Sequence, residues 1–222
     1  GVAYESGSPS RQLSPARKVA LASNGRLVAL GADDRGIMVF ARFRNNGDLD
    51  SAFGSQGVVY VSDFPRGNPI GTGGDFALAP QGGIVSTGSL GYPFDYEWNR
   101  NRCSFVSRQN PNGYLDFGFA EEGRKALCID KRSNKVGLKS AAVTLGRHGA
   151  LAIAGQAWHG SRRSGAFVAR LVDGGERLDR AFKGNGRTRS KVRGIVEILP
   201  PFAYHAWFTD VKLKSDGTVL AS

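Results

Sequence analysis

At 222 residues, with 41% hydrophobic and 22% charged residues, the chain is long enough to bury a core and does not have a disordered composition. Its 31 glycines against a single methionine favour turns and strands, and no apolar run reaches the about 18 residues that a membrane-spanning helix needs. The net charge of +11 is uneven: residues 1–111 carry 11 basic and 9 acidic groups, residues 112–222 carry 19 and 10, so the second half is either a solvated basic surface or an attractor of polyanions.

Residues 1–17 are rich in Ser, Pro and Arg, have no sustained period and lack the basic and apolar regions of a signal peptide; they read as a tail or a clip onto the body. From Lys18 the pattern turns strand-like. KVALASNGRLVALG is two apolar runs around Asn24-Gly25, which predicts a hairpin with both turn residues at positive φ. Similar hairpins begin at Asp75, Ala142 and Val211.

Between the hairpins lies a second recurring stretch: VFARFRNNGDLDSAFGSQG at 39–57, FVSRQNPNGYLDFGFAEEG at 105–123 and FVARLVDGGERLDRAFKGNG at 167–186. Each copy has an Arg (Arg42, Arg108, Arg170), a Gly turn, a Leu, an Asp (Asp50, Asp116, Asp179), a Phe and a closing Gly (Gly57, Gly123, Gly186). Leu49, Leu115 and Leu178 stand 66 and 63 positions apart, which is the period of a supersecondary unit. Each repeat reads as four short antiparallel strands without helical periodicity. The expectation is therefore an all-β fold, a β-propeller-like array of four-stranded antiparallel blades over 18–222. Blade 1 spans 18–62, blade 2 75–129 and blade 3 139–198, with half of a fourth blade at 207–222.

The repeat is similar to that of the bacterial delta-60 repeat proteins, in which a DG-apolar-apolar-apolar-G hairpin alternates with an ARF-NxDGxLDxxFGxxG segment. The stretch ARFRNNGDLDSAFGSQG at 41–57 is near that consensus and the other copies are degraded. The resemblance covers residues 18–222 and implies a secreted or surface-associated propeller-like protein with no defined activity. A propeller has about four to eight blades. Three and a half blades read as a fragment, as half of a homo-oligomeric ring, or as an open array. The fragment is the expectation, since an unpaired terminal edge invites aggregation.

Arg and Asp that recur once per repeat suit a structural ion pair pinning each turn better than a catalytic role. Cys103 and Cys128 face each other if the strands of blade 2 pair around the turn at Gly113, which predicts a disulfide and an extracellular or periplasmic location; two buried free thiols are the alternative. The short Gly turns gather at one end of the blades and the long, dissimilar connections at the other, where repeat proteins place binding. That loop face would carry Tyr92, Phe94, Tyr96, Trp98, Arg100 and Arg102 from blade 2, Trp158, His159, Arg162 and Arg163 from blade 3, and His205 from the following connection. Asp33, Asp34 and Arg35 would join it from blade 1.

Aromatic rings beside Arg suit sugar rings, peptide side chains or unstacked bases; packing of the insertion on its own blade is the competing reading. No cofactor, metal site or nucleophile motif is indicated. The function expected is a binding or scaffold module for a protein, a polysaccharide or an anionic surface. One rival is a hydrolase or lyase using His159 and His205; the other is nucleic-acid binding through the basic second half.

Overall fold

The computed structural model describes residues 13–34, 36–61, 70–90, 103–129, 136–159, 163–183, 192–198 and 206–222. These form fifteen strands and two 3₁₀ turns, with no α-helix among the described residues. Strands β1 (Lys18–Leu21), β2 (Leu27–Ala32), β3 (Met38–Phe43) and β4 (Val58–Val61) make the first antiparallel sheet in chain order. The second sheet is β5 (Ile70–Leu78), β6 (Ile84–Leu90), β7 (Ser104–Gln109) and β8 (Arg124–Leu127), again in chain order. In the third, β9 (Val136–Leu145), β10 (Leu151–His159) and β11 (Arg163–Val172) are followed by β12 (Arg177–Leu178) and β13 (Ile195–Ile198), both paired with β11. A hairpin of β14 (Val211–Leu213) and β15 (Val219–Ala221) completes the series. The protein is thus an all-β, propeller-like array of two four-stranded blades, a third blade of four strands with the short β12 beside β13 on β11, and a half blade.

A four-stranded sheet this small cannot bury both faces alone, so the core lies between blades. Blades 1 and 2 enclose Val28, Leu30, Phe40, Phe53, Phe76, Ile84 and Phe105. Blades 2 and 3 enclose Val85, Val106, Phe119, Leu138, Leu151, Ile153 and Phe167. Blade 3 meets the half blade across a smaller set, Ala142, Ala152, Ala154, Val168 and Val211, with Phe182, Phe208 and Leu213 at its margin. Each fully buried Phe contributes about 1.5–3 kcal/mol of apolar burial, so the first two interfaces carry most of it.

Blade 2 has neighbours on both sides, and its sequence reflects this. Strand β6, IVSTGSL, is buried at six of its seven positions, and its small polar residues bond where large ones would not fit. Ser86 Oγ meets Ser107 Oγ at 2.7 Å, Thr87 Oγ1 donates to Phe105 O at 2.6 Å and Ser104 Oγ donates to Gly88 O at 2.9 Å.

The first strands of successive blades lie side by side, β1 by β5, β5 by β9 and β9 by β14. Asp75 on β5 ties three of them together: Oδ1 accepts from Lys18 Nζ at 2.6 Å, and Oδ2 accepts from the Val143 N–H of β9 at 2.9 Å. Ahead of β1, residues 13–17 run along β2, with Ser14 N–H on Ala32 O and Arg17 N–H on Leu30 O, each at 2.7 Å.

Two local expectations need correction. In the first hairpin only Gly25 is left-handed, at φ 79°. Its N–H closes on Ala22 O and the Ala22 N–H on Arg26 O, so the turn is the longer form with a glycine bulge, and Asn24 is not required at positive φ. In the third motif copy the closing glycine is Gly194 rather than Gly186, which lies outside the described residues. Gly194 sits at φ 92° and a Cβ there would stand 2.7 Å from Leu178 Cβ, so the position that receives the Arg170 N–H must be glycine. The third copy carries extra residues between its Phe and this glycine, and spacing alone selected the wrong one.

Candidate functional site

Strand direction separates the two ends of the array. The hairpin turns at 22–26, 79–83, 146–150 and 214–218, with the motif turns after β3, β7 and β11, lie at one end. The connections β2–β3, β6–β7 and β10–β11 and those between blades lie at the other.

Of the residues expected on the loop end, Tyr92, Phe94, Tyr96, Trp98, Arg100, Arg102, Arg162 and His205 lie outside the described residues, as does Arg35. Trp158, His159 and Arg163 are brought together at the tip of the β10–β11 hairpin, where Trp158 pairs with Ser164 and His159 with Arg163. Asp33 is not an open loop carboxylate. It is buried, and its Oδ1 accepts the Ile37 N–H at 2.8 Å to close the β2–β3 turn.

The rim of blade 2 at this end is cross-linked. Cys103 and Cys128 form a disulfide with an S–S distance of 1.98 Å and Cα atoms 4.6 Å apart. They flank the pair Ser104 and Leu127, the last register of β7 with β8, so the expected hairpin geometry holds. The Cys103 carbonyl also accepts the Leu90 N–H at 2.7 Å, which fastens the two stems of the segment 91–102 to each other. Among the described residues, no group of three or more His, Cys, Asp or Glu could hold a metal ion, and no helix is long and apolar enough to cross a membrane.

At the turn end, the motif builds the same network three times. The Arg42 N–H donates to Gly57 O, Asp50 N–H to Arg42 O, Phe53 N–H to Asp50 O and Gly57 N–H to Phe53 O. The same four bonds link Arg108, Asp116, Phe119 and Gly123, and again Arg170, Asp179, Phe182 and Gly194. Side chains follow suit, with Arg Nε to Asp Oδ2 distances of 2.8 Å for Arg42–Asp50, 2.7 Å for Arg108–Asp116 and 3.1 Å for Arg170–Asp179. Arg42 also lies over the Phe53 ring and Arg108 over Phe119, at 4.5 and 4.9 Å from the centroids.

Two of these arginines reach beyond their own blade. Arg42 Nη1 donates to Pro111 O of blade 2, and Arg170 Nη1 donates to Gly217 O of the half blade at 2.9 Å. The pair therefore pins its own turn and staples the next blade to it, a second role that periodicity alone did not disclose.

Asp50 is the most enclosed of the three carboxylates and is flanked by Arg26 Nε at 2.7 Å as well as by Arg42. Burial alone would raise its pKa; the Ala52 N–H bond and the charges of Arg42 and Arg26 outweigh that and hold it below the ordinary carboxylate value. Burial pulls the Arg42 guanidinium below its usual value, with Asp50 opposing.

The turn end also holds a cavity of about 960 Å³ between blades 2, 3 and the half blade. Arg147, His148 and Lys214 stand on it, beside Arg108 and Asp116. Nothing in the sequence pattern marks Arg147 or Lys214, because each sits in a short hairpin turn, where a basic residue looks like ordinary surface; that the turns of three units converge is a property of the stack. No protein-family model and no curated protein matches the sequence.

Proposed function

We propose that this chain is an exported, propeller-like binding or scaffold module of the delta-60 repeat type, which presents its loop end to a protein, polysaccharide or anionic-surface partner. The observation that carries this reading is the Cys103–Cys128 bridge at the loop rim, with the Leu90 to Cys103 bond beside it. A disulfide persists in an oxidising compartment, which supports an extracellular or periplasmic location. Its position holds the base of the aromatic- and arginine-rich segment 91–102, and a loop with a fixed base loses less entropy when it binds. Trp158, His159 and Arg163 at the neighbouring hairpin tip would extend the same surface. The motif Arg and Asp residues are occupied in the blade network and are not offered to a ligand.

The test is co-sedimentation of the oxidised protein with insoluble peptidoglycan and with calcium-gelled alginate, for the wild type and for Trp98→Ala/Trp158→Ala. Retention of the wild type on either polymer, with a loss of about thirtyfold or more in the double variant, is expected for two aromatic contacts worth about 1–3 kcal/mol each. Equal retention of both proteins would overturn the loop-end assignment.

A further inference from the structure

We infer that the turn-end cavity is a second binding site, and that it takes a short acidic peptide segment carrying aliphatic side chains. The inference does not rest on the loop-end reading, since the two sites lie at opposite ends of the blades.

The cavity's volume of about 960 Å³ is at the upper end of the range for ligand pockets, and three separate units wall it. Its apolar lining comes from Val85 of blade 2, Leu145 of blade 3 and Leu213 of the half blade. Cations from the same three units stand around it: Arg108, Arg147 and Lys214. The one carboxylate on the wall, Asp116, is already paired with Arg108 at 2.7 Å. Lys214 has Asp216 two residues away in its own turn. Arg147 has no acidic partner among the described residues, and is exposed. Among the described residues, the wall therefore carries more positive than negative charge, above an aliphatic floor.

The turn that presents Arg147 differs from its counterparts. His148 and Gly149 both take left-handed conformations, at φ 55° and 73°, within the turn at 146–150, where the Ala150 N–H closes on Arg147 O. A non-glycine residue held there costs about 1–3 kcal/mol. The equivalent positions Asn24, Gln81 and Asp216 are not strained in this way.

The lining also decides among anionic ligands. Asn110 lines the cavity, and its Oδ1 is buried without a hydrogen-bond partner. Its side-chain amide can both donate and accept, which suits a peptide backbone with an N–H and a C=O at each residue better than a fatty-acid carboxylate, which only accepts. Sugars bring hydroxyl donors but are commonly held by aromatic platforms, and among the described residues no Phe, Tyr or Trp lines the cavity. An acidic peptide satisfies all three features: carboxylates for Arg147 and Lys214, aliphatic side chains for Val85, Leu145 and Leu213, and backbone N–H groups for Asn110.

The test is fluorescence polarisation with a fluorescein-labelled peptide of four Glu-Leu repeats, and with Lys-Leu and Gln-Ser peptides of equal length. Saturable binding of the Glu-Leu peptide alone is expected. Arg147→Glu and Lys214→Glu should each weaken it about tenfold or more, while Lys139→Glu, an exposed charge reversal on β9 away from the cavity, should leave it within about twofold. These residues are exposed, so thermal melts of the variants should match the wild type. Equal weakening by all three reversals would reduce the effect to net charge and overturn the site. So would binding of the Lys-Leu peptide, or failure of the Glu-Leu peptide to bind. Trp98→Ala/Trp158→Ala should leave this binding unchanged, which separates failure here from failure at the loop end.

Discussion

Asp50 is 1% exposed and its partner Arg42 10%, whereas Asp116 and Arg108 are 32% and 30% exposed. The same motif pair should therefore contribute unequally. Removing one member of an enclosed pair leaves its partner's charge uncompensated and costs about 3 kcal/mol or more, whereas a half-exposed pair contributes about 1 kcal/mol or less. Asp50→Asn should thus lower the urea midpoint well beyond what Asp116→Asn does; equal losses would count against burial as the deciding factor. The Asp50 effect carries a pH signature. Because the folded carboxyl is held below its ordinary value, its contribution is complete above the unfolded pKa of about 4 and disappears as the pH falls through the folded value. The stability gap between wild type and Asp50→Asn should be full at pH 7 and should close below about pH 4; a gap independent of pH would remove the ion pair from the account.

The β7–β8 hairpin shows what a crosslink does to one element. Cys103 and Cys128 are 25 positions apart, and closing a loop of that order restricts the unfolded chain by about 3 kcal/mol in the chain-entropy view. Cys103→Ala/Cys128→Ala should lose roughly that amount by urea unfolding, and hydrogen exchange should rise first at the Cys103 end of β7. A variant as stable as the wild type would mean that the strand pairing already fixes this rim. At this scale much was legible in the sequence: an apolar run on either side of a glycine turn is enough to mark a strand pair, and the recurring Leu-Asp-Phe set marked where each motif turn begins. What was not legible came from contacts between units. Gly194 was hidden by extra residues in the third copy, the reach of Arg42 to Pro111 joins residues 69 positions apart, and the cavity walled by Arg147 and Lys214 exists only once blades are stacked.

Among the described residues the main contacts run between successive blades, as in a series, so stability is close to a sum of interface terms. Those terms are unequal. The first two interfaces enclose fully buried phenylalanines, Phe40, Phe53, Phe76 and Phe105 in one and Phe119 and Phe167 in the other. The third rests largely on Ala142, Ala152 and Ala154, and the half blade presents only two three-residue strands to it. Fewer apolar atoms leave water there, so β14 and β15 should open at lower free energy than blades 1 to 3. Native-state hydrogen exchange by mass spectrometry should show peptides over 206–222 exchanging well before those over β9 to β11; simultaneous exchange would mean that Arg170's bond to Gly217 and the Asp75 tie make the array one cooperative unit. The order of opening also bears on the cavity, because Leu213 and Lys214 form its third wall. An acidic peptide bound there links the half blade to blades 2 and 3, and binding to the closed form alone must stabilise it by mass action. The Glu-Leu peptide should therefore slow exchange in 206–222 more than anywhere else, whereas uniform slowing across all blades would place the peptide at some other surface.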